Sequence, residues 1–454
     1  MEYFAVTGGR PLAGEVRVHG AKNSALPILA ATLLVRGESV VHNCPALTDI
    51  QTALDILSCL GCRVRRTGET VTVDAAHLTG AAIPDGLMGR MRASVLFLGA
   101  LLARQGEASA CWPGGCALGR RPIDLHIRAF QALGAQVETR GEHLCLTAAR
   151  LAGRRLSLPF PSVGATENAM LAACGAAGLT RICNAAREPE IVDLQGFLQA
   201  LGARVTGAGT EEILVSGGLP LHPGTYRVMP DRIVTATYLC AVASAGGQGV
   251  LRGARGDHVE PVTAALSAAG CRVRCIPEGL EIARDGPLRG IGALQTGPYP
   301  AFPTDAQPLL AAALAGGTGE TAITETIFDH RFRYAQGLEA LGAQVQAAGE
   351  TLYLTGHPLH GGSVEAPDLR GGAALTLAAL AAEGESWITG LRHIDRGYEA
   401  LEELDIAAMA QAAAKQAVTM LHADLCPAGR MPWGQTSGGR PFEVEIRTRS
   451  FTTL

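Results

Sequence analysis

The stretch LGCRVRRTGETVTV, Leu60 to Val73, is not unique in this chain. It returns as LGAQVETRGEHLCL from Leu133, LGARVTGAGTEEILV from Leu201, AGCRVRCIPEGLEI from Ala269 and LGAQVQAAGETLYL from Leu341. Each copy sets a glycine (Gly61, Gly134, Gly202, Gly270, Gly342) between the end of a helical apolar pattern and two short alternating runs. A glycine in that place reads as a helix C-cap, since it turns left-handed without steric cost, and the two runs read as a hairpin. A period of about 70 residues is too long for a small solenoid repeat and long enough for a layered unit.

Upstream of each copy lie an alanine-rich helix, a short strand and a second helix. The first helices are AKNSALPILAATLL, RASVLFLGALLA, TENAMLAACGAA, DRIVTATYLCAVAS, TDAQPLLAAALAG and LRGGAALTLAALAA; the strands include ESVVHNC, TRICNA, GVLRGA, TAITET and SWITGL. The unit is therefore βαβαββ, with six first halves and five complete second halves. The first helices are apolar nearly all round and should be buried, whereas second helices such as LTDIQTALDILSCLG are amphipathic. An α/β fold follows, with sheets outside, helices inside and three units in each of two lobes. The cleft between the lobes is the expected ligand site.

Composition fits a globular protein: 47% hydrophobic, 18% charged and 4% aromatic, with a formal charge of −4. That balance excludes a general nucleic-acid binder. The N-terminus MEYFAVTGGRPLAG lacks the basic and apolar regions of a secretory signal, and no apolar run is long enough to span a bilayer. Twelve scattered cysteines in a chain of 454 residues read as reduced thiols of a cytoplasmic protein.

Polar residues recur where the first helices begin: Lys22-Asn23, Arg92, Asp231-Arg232, Thr304-Asp305 and Asp368-Leu369-Arg370. A helix N-terminus favours an anion, so a lysine or arginine there opposes the dipole and calls for a bound anion. For each residue alone a solvated cap is the alternative; for Asp305 a capping role is specifically plausible. The repeat also sorts the cysteines. Cys62 and Cys271 occupy the slot of Ala135, Ala203 and Ala343 and read as small core residues. Cys59-x-x-Cys62 has no second C-x-x-C at zinc spacing, so no metal site is expected. Cys116 differs: in WPGGCALGRRP it follows Pro113-Gly114-Gly115 and precedes Arg120 and Arg121, where cations and exposure favour a thiolate.

Taken together, HGAKNSALPILAATLL, PGGCALGRRPIDLHI, PSVGATENAML, NAAREPEIVDL, YRVMPDRIVTATYL, PAFPTDAQPLL, ITETIFDHRF, PDLRGGAAL and HIDRGYE resemble the UDP-N-acetylglucosamine 1-carboxyvinyltransferase family of enolpyruvyl transferases. The resemblance runs from Met1 to about Glu403. It implies a pair of inside-out α/β barrels, one of residues 22–229 and the other of 1–21 with 230–404, followed by an atypical tail, 405–454. It implies transfer of the enolpyruvyl group of phosphoenolpyruvate to the 3′-hydroxyl of the sugar nucleotide, the first committed step of peptidoglycan synthesis, by a cytoplasmic monomer without metal or organic cofactor. By the same resemblance Asp305 is the base and Cys116 the general acid. Phosphoenolpyruvate falls to Lys22, Asn23, Arg121, Arg370 and Arg396. UDP-GlcNAc falls to Arg92, Arg121, Pro122, Ile123, Asp124, Leu125, Ser162, Val163, Gly164, Asp305 and Ile327. The alternatives are 5-enolpyruvylshikimate-3-phosphate synthase, which lacks the cysteine loop, and an inactive sugar-nucleotide-binding homologue.

Three departures stand out. Phe160 replaces a lysine of some family members, Tyr334 replaces a histidine, and the tail replaces the usual closing helix and strands. The sixth unit is therefore expected to lack sheet partners and to leave an exposed edge. Peptide mapping after fosfomycin treatment is expected to find the label on Cys116 in preference to the other eleven thiols, at a rate that depends on pH and is enhanced by UDP-GlcNAc. Label spread over Cys111 and Cys145 would count against a selectively activated thiol.

Overall fold

The computed structural model describes residues 2–112, 123–399 and 446–450. The five repeated glycines end helices in the left-handed region, with φ of 98°, 101°, 89°, 110° and 90° from Gly61 to Gly342. The next amide then reaches back across the last turn: Cys62 N donates to Leu57 O at 3.0 Å, Cys271 N to Leu266 O at 2.9 Å and Ala343 N to Leu338 O at 3.0 Å. This closes the orphan carbonyls of the helix end and forces the following side chain inward. The slot is narrow, and Cys62, Ala135, Ala203, Cys271 and Ala343 are all buried in it. Those two cysteines are packing residues.

The hairpins that follow pair as the alternation implies, for example Arg63–Thr67 with Thr70–Asp74 in the register Arg63↔Asp74 to Thr67↔Thr70. Each unit forms its own sheet with one recurring order: a short parallel edge strand, a central strand, then the two hairpin strands. Among the described residues the second unit's sheet has three strands, and an isolated parallel bridge between Ala82 and Ser109 stands where the edge strand lies elsewhere.

The sixth sheet corrects the expectation of missing partners. Its central strand Glu385–Thr389 pairs antiparallel with Glu2–Thr7 from the N-terminus. Strand Ile446–Ser450, from within the tail, then pairs antiparallel with Glu2–Thr7 on its other side. The order matches that of the complete units, because the N-terminal strand takes the inner hairpin position and the tail strand the outer one. The rest of the tail lies outside the described residues.

Three helices fill each lobe. Lys22–Ala31, Leu96–Gln105 and Val163–Gly175 pack together in one; Arg232–Ala245, Gln307–Ala315 and Leu369–Ala381 do so in the other. Small residues allow the close approach. A Cβ on Gly99 would lie 2.4 Å from Asn168 Oδ1, the atom to which Gly99 N donates at 3.0 Å. The apolar cores are correspondingly two, one drawn from residues 21–229 and the other from 4–18 with 234–398. Among the described residues no helix is long and apolar enough to cross a membrane.

The chain changes lobe at two points that touch. Strand Leu12–Arg17 precedes the Lys22 helix yet pairs with Gly247–Arg252, whereas Thr225–Arg227 precedes the Arg232 helix yet pairs with Glu38–His42. Between them Ala21 N donates to Met229 O at 2.8 Å and Asp231 N to His19 O at 2.9 Å. Gly20 lies in this crossing, and a Cβ there would fall 1.7 Å from Asn43 O. Gly20→Ala is therefore expected to cost at least about 1–3 kcal/mol through forced backbone movement. Thermal unfolding would register it as a clear fall in the midpoint, with no fall if the crossing tolerates the methyl group.

Candidate active site

Five of the six central helices begin on or beside one shared cleft between the lobes, and Arg370 from the first turn of the sixth reaches Asp305. Three are capped by their own residues: Ser162 Oγ accepts from Ala165 N, Asp231 Oδ1 from Ile233 N and Val234 N, and Asp368 Oδ1 from Arg370 N and Gly371 N. Asp305 is no cap, because the Gln307–Ala315 helix begins two residues later without any side-chain cap. A cleft of about 490 Å³ lies against these ends, and its walls include Asn23, Arg92, Asp124, Leu125, Ser162, Val163, Gly164, Asp305 and Ile327. These residues, expected from sequence to touch the substrates, come together on one surface although they are spread over some 300 positions.

Others lie elsewhere. Ile123 is buried with 2% exposure and sits among core residues. Lys22 and Arg396 form no part of the cleft wall; both hold Asp49, Lys22 Nζ to Oδ2 at 3.0 Å and Arg396 Nε to Oδ1 at 2.9 Å. The lysine that seemed to need a foreign anion thus has one within the chain. Asp49 begins a second helix, as TDIQ, and sequence gave no reason to single it out. Stranding one charge of a buried pair costs about 3–5 kcal/mol, so Asp49 fixes both cations and ties the two lobes. Cys116, Arg121 and Pro122 lie outside the described residues.

Asp305 sits among cations. Arg331 Nη2 donates to Asp305 Oδ1 at 2.8 Å, and Arg370 Nε lies 3.5 Å from the same oxygen. Burial pushes the carboxyl up, but Arg370, Arg331 and Arg232 outweigh it and hold Asp305 well below its ordinary value of 3.8. Each arginine is fixed in turn. Arg331 also donates through Nε and Nη2 to Thr304 O, at 3.1 and 2.8 Å. Arg370 stacks 5.6 Å from the Tyr398 ring and donates to its hydroxyl at 3.2 Å. Arg232 forks onto Glu190 with Nε–O distances of 2.9 and 3.0 Å. Arg331 lies inside the quoted ITETIFDHRF motif, yet nothing in its spacing distinguished it from a surface charge.

Other sugar-nucleotide candidates line the same cleft. Ile327 is set by a tight turn in which Glu325 Oε1 accepts from the amides of Ile327 and Phe328 at 2.8 and 3.3 Å. Beneath Gly164, His126 is buried and neutral, with burial and then Arg92 pulling its pKa down to about 3. Its Nδ1 faces the Asn168 amide at 2.8 Å. Of the departures, Phe160 lines the cleft with 43% exposure, offering an aromatic face in place of an ammonium. Tyr334 is fully buried, and its hydroxyl accepts from Gln307 Nε2 at 2.6 Å, anchoring the helix that follows Asp305.

Comparison with known proteins shows the family and the fold. The family described as EPSP synthase (3-phosphoshikimate 1-carboxyvinyltransferase) matches residues 6–404. A UDP-N-acetylglucosamine 1-carboxyvinyltransferase 2 of Caldanaerobacter subterraneus subsp. tengcongensis is 46% identical over 404 residues, covering 89% of this chain and 97% of that one. A UDP-N-acetylglucosamine 1-carboxyvinyltransferase 1 of Symbiobacterium thermophilum is 47% identical over 410 residues, covering 88% and 92%. The chain belongs to the UDP-N-acetylglucosamine 1-carboxyvinyltransferase branch of the EPSP synthase family. Among solved structures the enolpyruvyl transferase NikO of Streptomyces tendae matches with a TM-score of 0.80, 28% identity, and coverage of 89% of this chain and 96% of that one. An EPSP synthase of Acinetobacter baumannii shares the fold, with a TM-score of 0.68, 19% identity and coverage of 99% and 100%. The family match ends at residue 404, before the tail begins.

In an enolpyruvyl transferase cleft of this kind, the charge balance at Asp305 is measurable. Its depressed pKa leaves it ionised at and above 3.8, so it contributes no acidic limb to kcat/KM there. Arg331→Met removes one stabilising cation and should raise that pKa, moving an acidic limb upward into the accessible range. An unchanged pH profile in a folded variant would show that Arg331 does not set the charge of Asp305.

Proposed function

We infer that this chain transfers the enolpyruvyl group of phosphoenolpyruvate to the 3′-hydroxyl of UDP-N-acetylglucosamine, releasing phosphate, and so opens peptidoglycan synthesis. The reaction adds and then eliminates. The sugar oxygen bonds to C2 of phosphoenolpyruvate while C3 gains a proton, giving a tetrahedral phospholactoyl adduct. Loss of a C3 proton and of the C2–O bond to phosphate then restores the vinyl group on the sugar.

The observation that carries the reading is Asp305, an ionised carboxylate at the cleft wall beside Arg331 and Arg370. As the base it takes the proton of the sugar hydroxyl. Free, it is a poor base, because the arginines hold its pKa low. A bound phosphate and carboxylate draw positive charge to themselves, which raises the basicity of Asp305 when the substrate arrives. Asn23 on the cleft wall, with Lys22, Arg121, Arg370 and Arg396, holds those anionic groups. Lys22 and Arg396 reach them by exchanging Asp49 for the substrate. Cys116 delivers the proton to C3.

Arg92, Arg121, Pro122, Ile123, Asp124, Leu125, Ser162, Val163, Gly164 and Ile327 hold the sugar nucleotide; Ile123, being buried, acts through its backbone. Lobes of residues 22–229 and of 1–21 with 230–404 form the two sides. The enzyme works as a cytoplasmic monomer. Phosphate release from phosphoenolpyruvate by the purified full chain is the test. Turnover is expected with UDP-GlcNAc and not with shikimate 3-phosphate, and Asp305→Ala and Cys116→Ser should each lower it at least about 100-fold. Turnover with shikimate 3-phosphate alone, or a rate unaffected by both substitutions, would reject the reading.

A further inference from the structure

At the floor of the cleft three carboxyls meet. Glu167 comes from the second turn of the Val163–Gly175 helix; Glu188 and Glu190 flank the start of the Pro189–Ala200 helix. All three line the cleft and are nearly inaccessible, at 3%, 8% and 2% exposure. One guanidinium serves two of them: Arg232 Nε donates to both oxygens of Glu190, and its charge is shared with Glu188 and Asp305. Tyr299, above Arg232, offers Glu188 its backbone N–H. Glu167 has no such cation, and its Oε1 is buried without a hydrogen-bond partner among the described residues, as is Oε2 of Glu188. Asp231 adds to the negative surroundings of Glu190, and the neutral His126, facing Asn168, and Arg92 beyond it are also nearby.

Three buried carboxylates beside one cation do not all stay ionised. Like charges in a low-dielectric wall force a proton onto the least compensated member. That member is Glu167, whose pKa is raised well above its ordinary 4.5 by burial, then by Glu190 and Glu188. Among the described residues no group of His, Cys, Asp and Glu is placed to hold a metal, so cation binding does not account for the cluster.

We propose that the Glu167 carboxyl is a further recognition group of this cleft, donating a hydrogen bond to an oxygen of the acceptor sugar, with Glu188 accepting from a neighbouring sugar hydroxyl. The orphaned oxygens of the two side chains are thereby satisfied by a polyhydroxy ligand. The proposal rests on the sugar-nucleotide reading above. It makes Glu167 a determinant of acceptor affinity, with no part in bonding changes at phosphoenolpyruvate.

The test compares Glu167→Leu and Glu167→Gln in the full chain, by steady-state kinetics and by calorimetric titration with UDP-GlcNAc alone. Glu167→Leu, which removes the donor, should raise the KM and Kd for UDP-GlcNAc about tenfold while the KM for phosphoenolpyruvate changes less than about twofold. Glu167→Gln keeps a donor and should recover most of that loss. In the wild type the Kd should rise as pH climbs and Glu167 loses its proton; in Glu167→Gln that rise should vanish. Unchanged affinity in a folded Leu variant, or an alkaline rise that persists in the Gln variant, overturns the proposal. Absence of wild-type turnover would defeat the enzymatic reading alone, since the titration still reports whether Glu167 governs UDP-GlcNAc binding.

Discussion

The central helices of each lobe are buried along nearly their whole length, so their N-terminal turns are where charge is tolerated. Most positions further along them face apolar neighbours, and an ionised side chain there would be stranded unless it found a partner. At the N-terminal ends the unpaired amides and the helix dipole reward anions, and the cleft supplies room. Ser162, Asp231 and Asp368 answer the first requirement as caps. Lys22, Arg92, Arg232 and Arg370 run against the dipole. Lys22, Arg232 and Arg370 each meet a carboxylate there: Asp49, Glu190 and Asp305.

Carboxylates of the protein balance those cations meanwhile. Asp49 joins Lys22 to Arg396, and Glu190 joins Arg232 to the wall of the other lobe. Both bridges link residues from the two apolar cores, so these charges also fasten the lobes. Asp305 is the special case, since it is compensated by three arginines and still partly open to the cleft. An anion entering the site competes for the same guanidinium groups. In the proposed reaction, binding and basicity are thereby coupled through Coulomb forces.

Much of the fold was legible because its rules are local. A glycine after the last helical turn, a hairpin of alternating residues and an all-apolar helix each follow from sterics and hydrophobicity within a dozen residues. The repeat then multiplied the signal, and it assigned Cys62 and Cys271 to a packing slot. The candidate site was legible in part. Helix starts carry their polar residues in a recognisable place, which exposed Lys22, Arg92, Asp305 and Arg370. Asp49, Glu167, Glu188, Glu190 and Arg331 were not singled out, because each acts only through a partner far away in sequence. Arg331 is fully buried against Asp305, yet its neighbours Phe328, His330 and Arg333 give the appearance of an ordinary surface turn.

The tail was misjudged for the same reason. Its composition departs from a repeat unit, and Ile446–Ser450 lies far from any βαβαββ frame. A strand needs only a complementary row of amides and carbonyls, and Glu2–Thr7 provides one whatever the intervening chain is. By itself the sequence determined the unit, its sixfold repetition, the buried helices and the polar character of their first turns, since all of these depend on neighbours along the chain. Only the tertiary structure decided which carboxylate faces which arginine, how the two crossing strands exchange lobes, and that one buried glutamate is left without a counter-ion. Those outcomes depend on charges brought within a few ångströms by folding, where the protein interior makes their interaction strong.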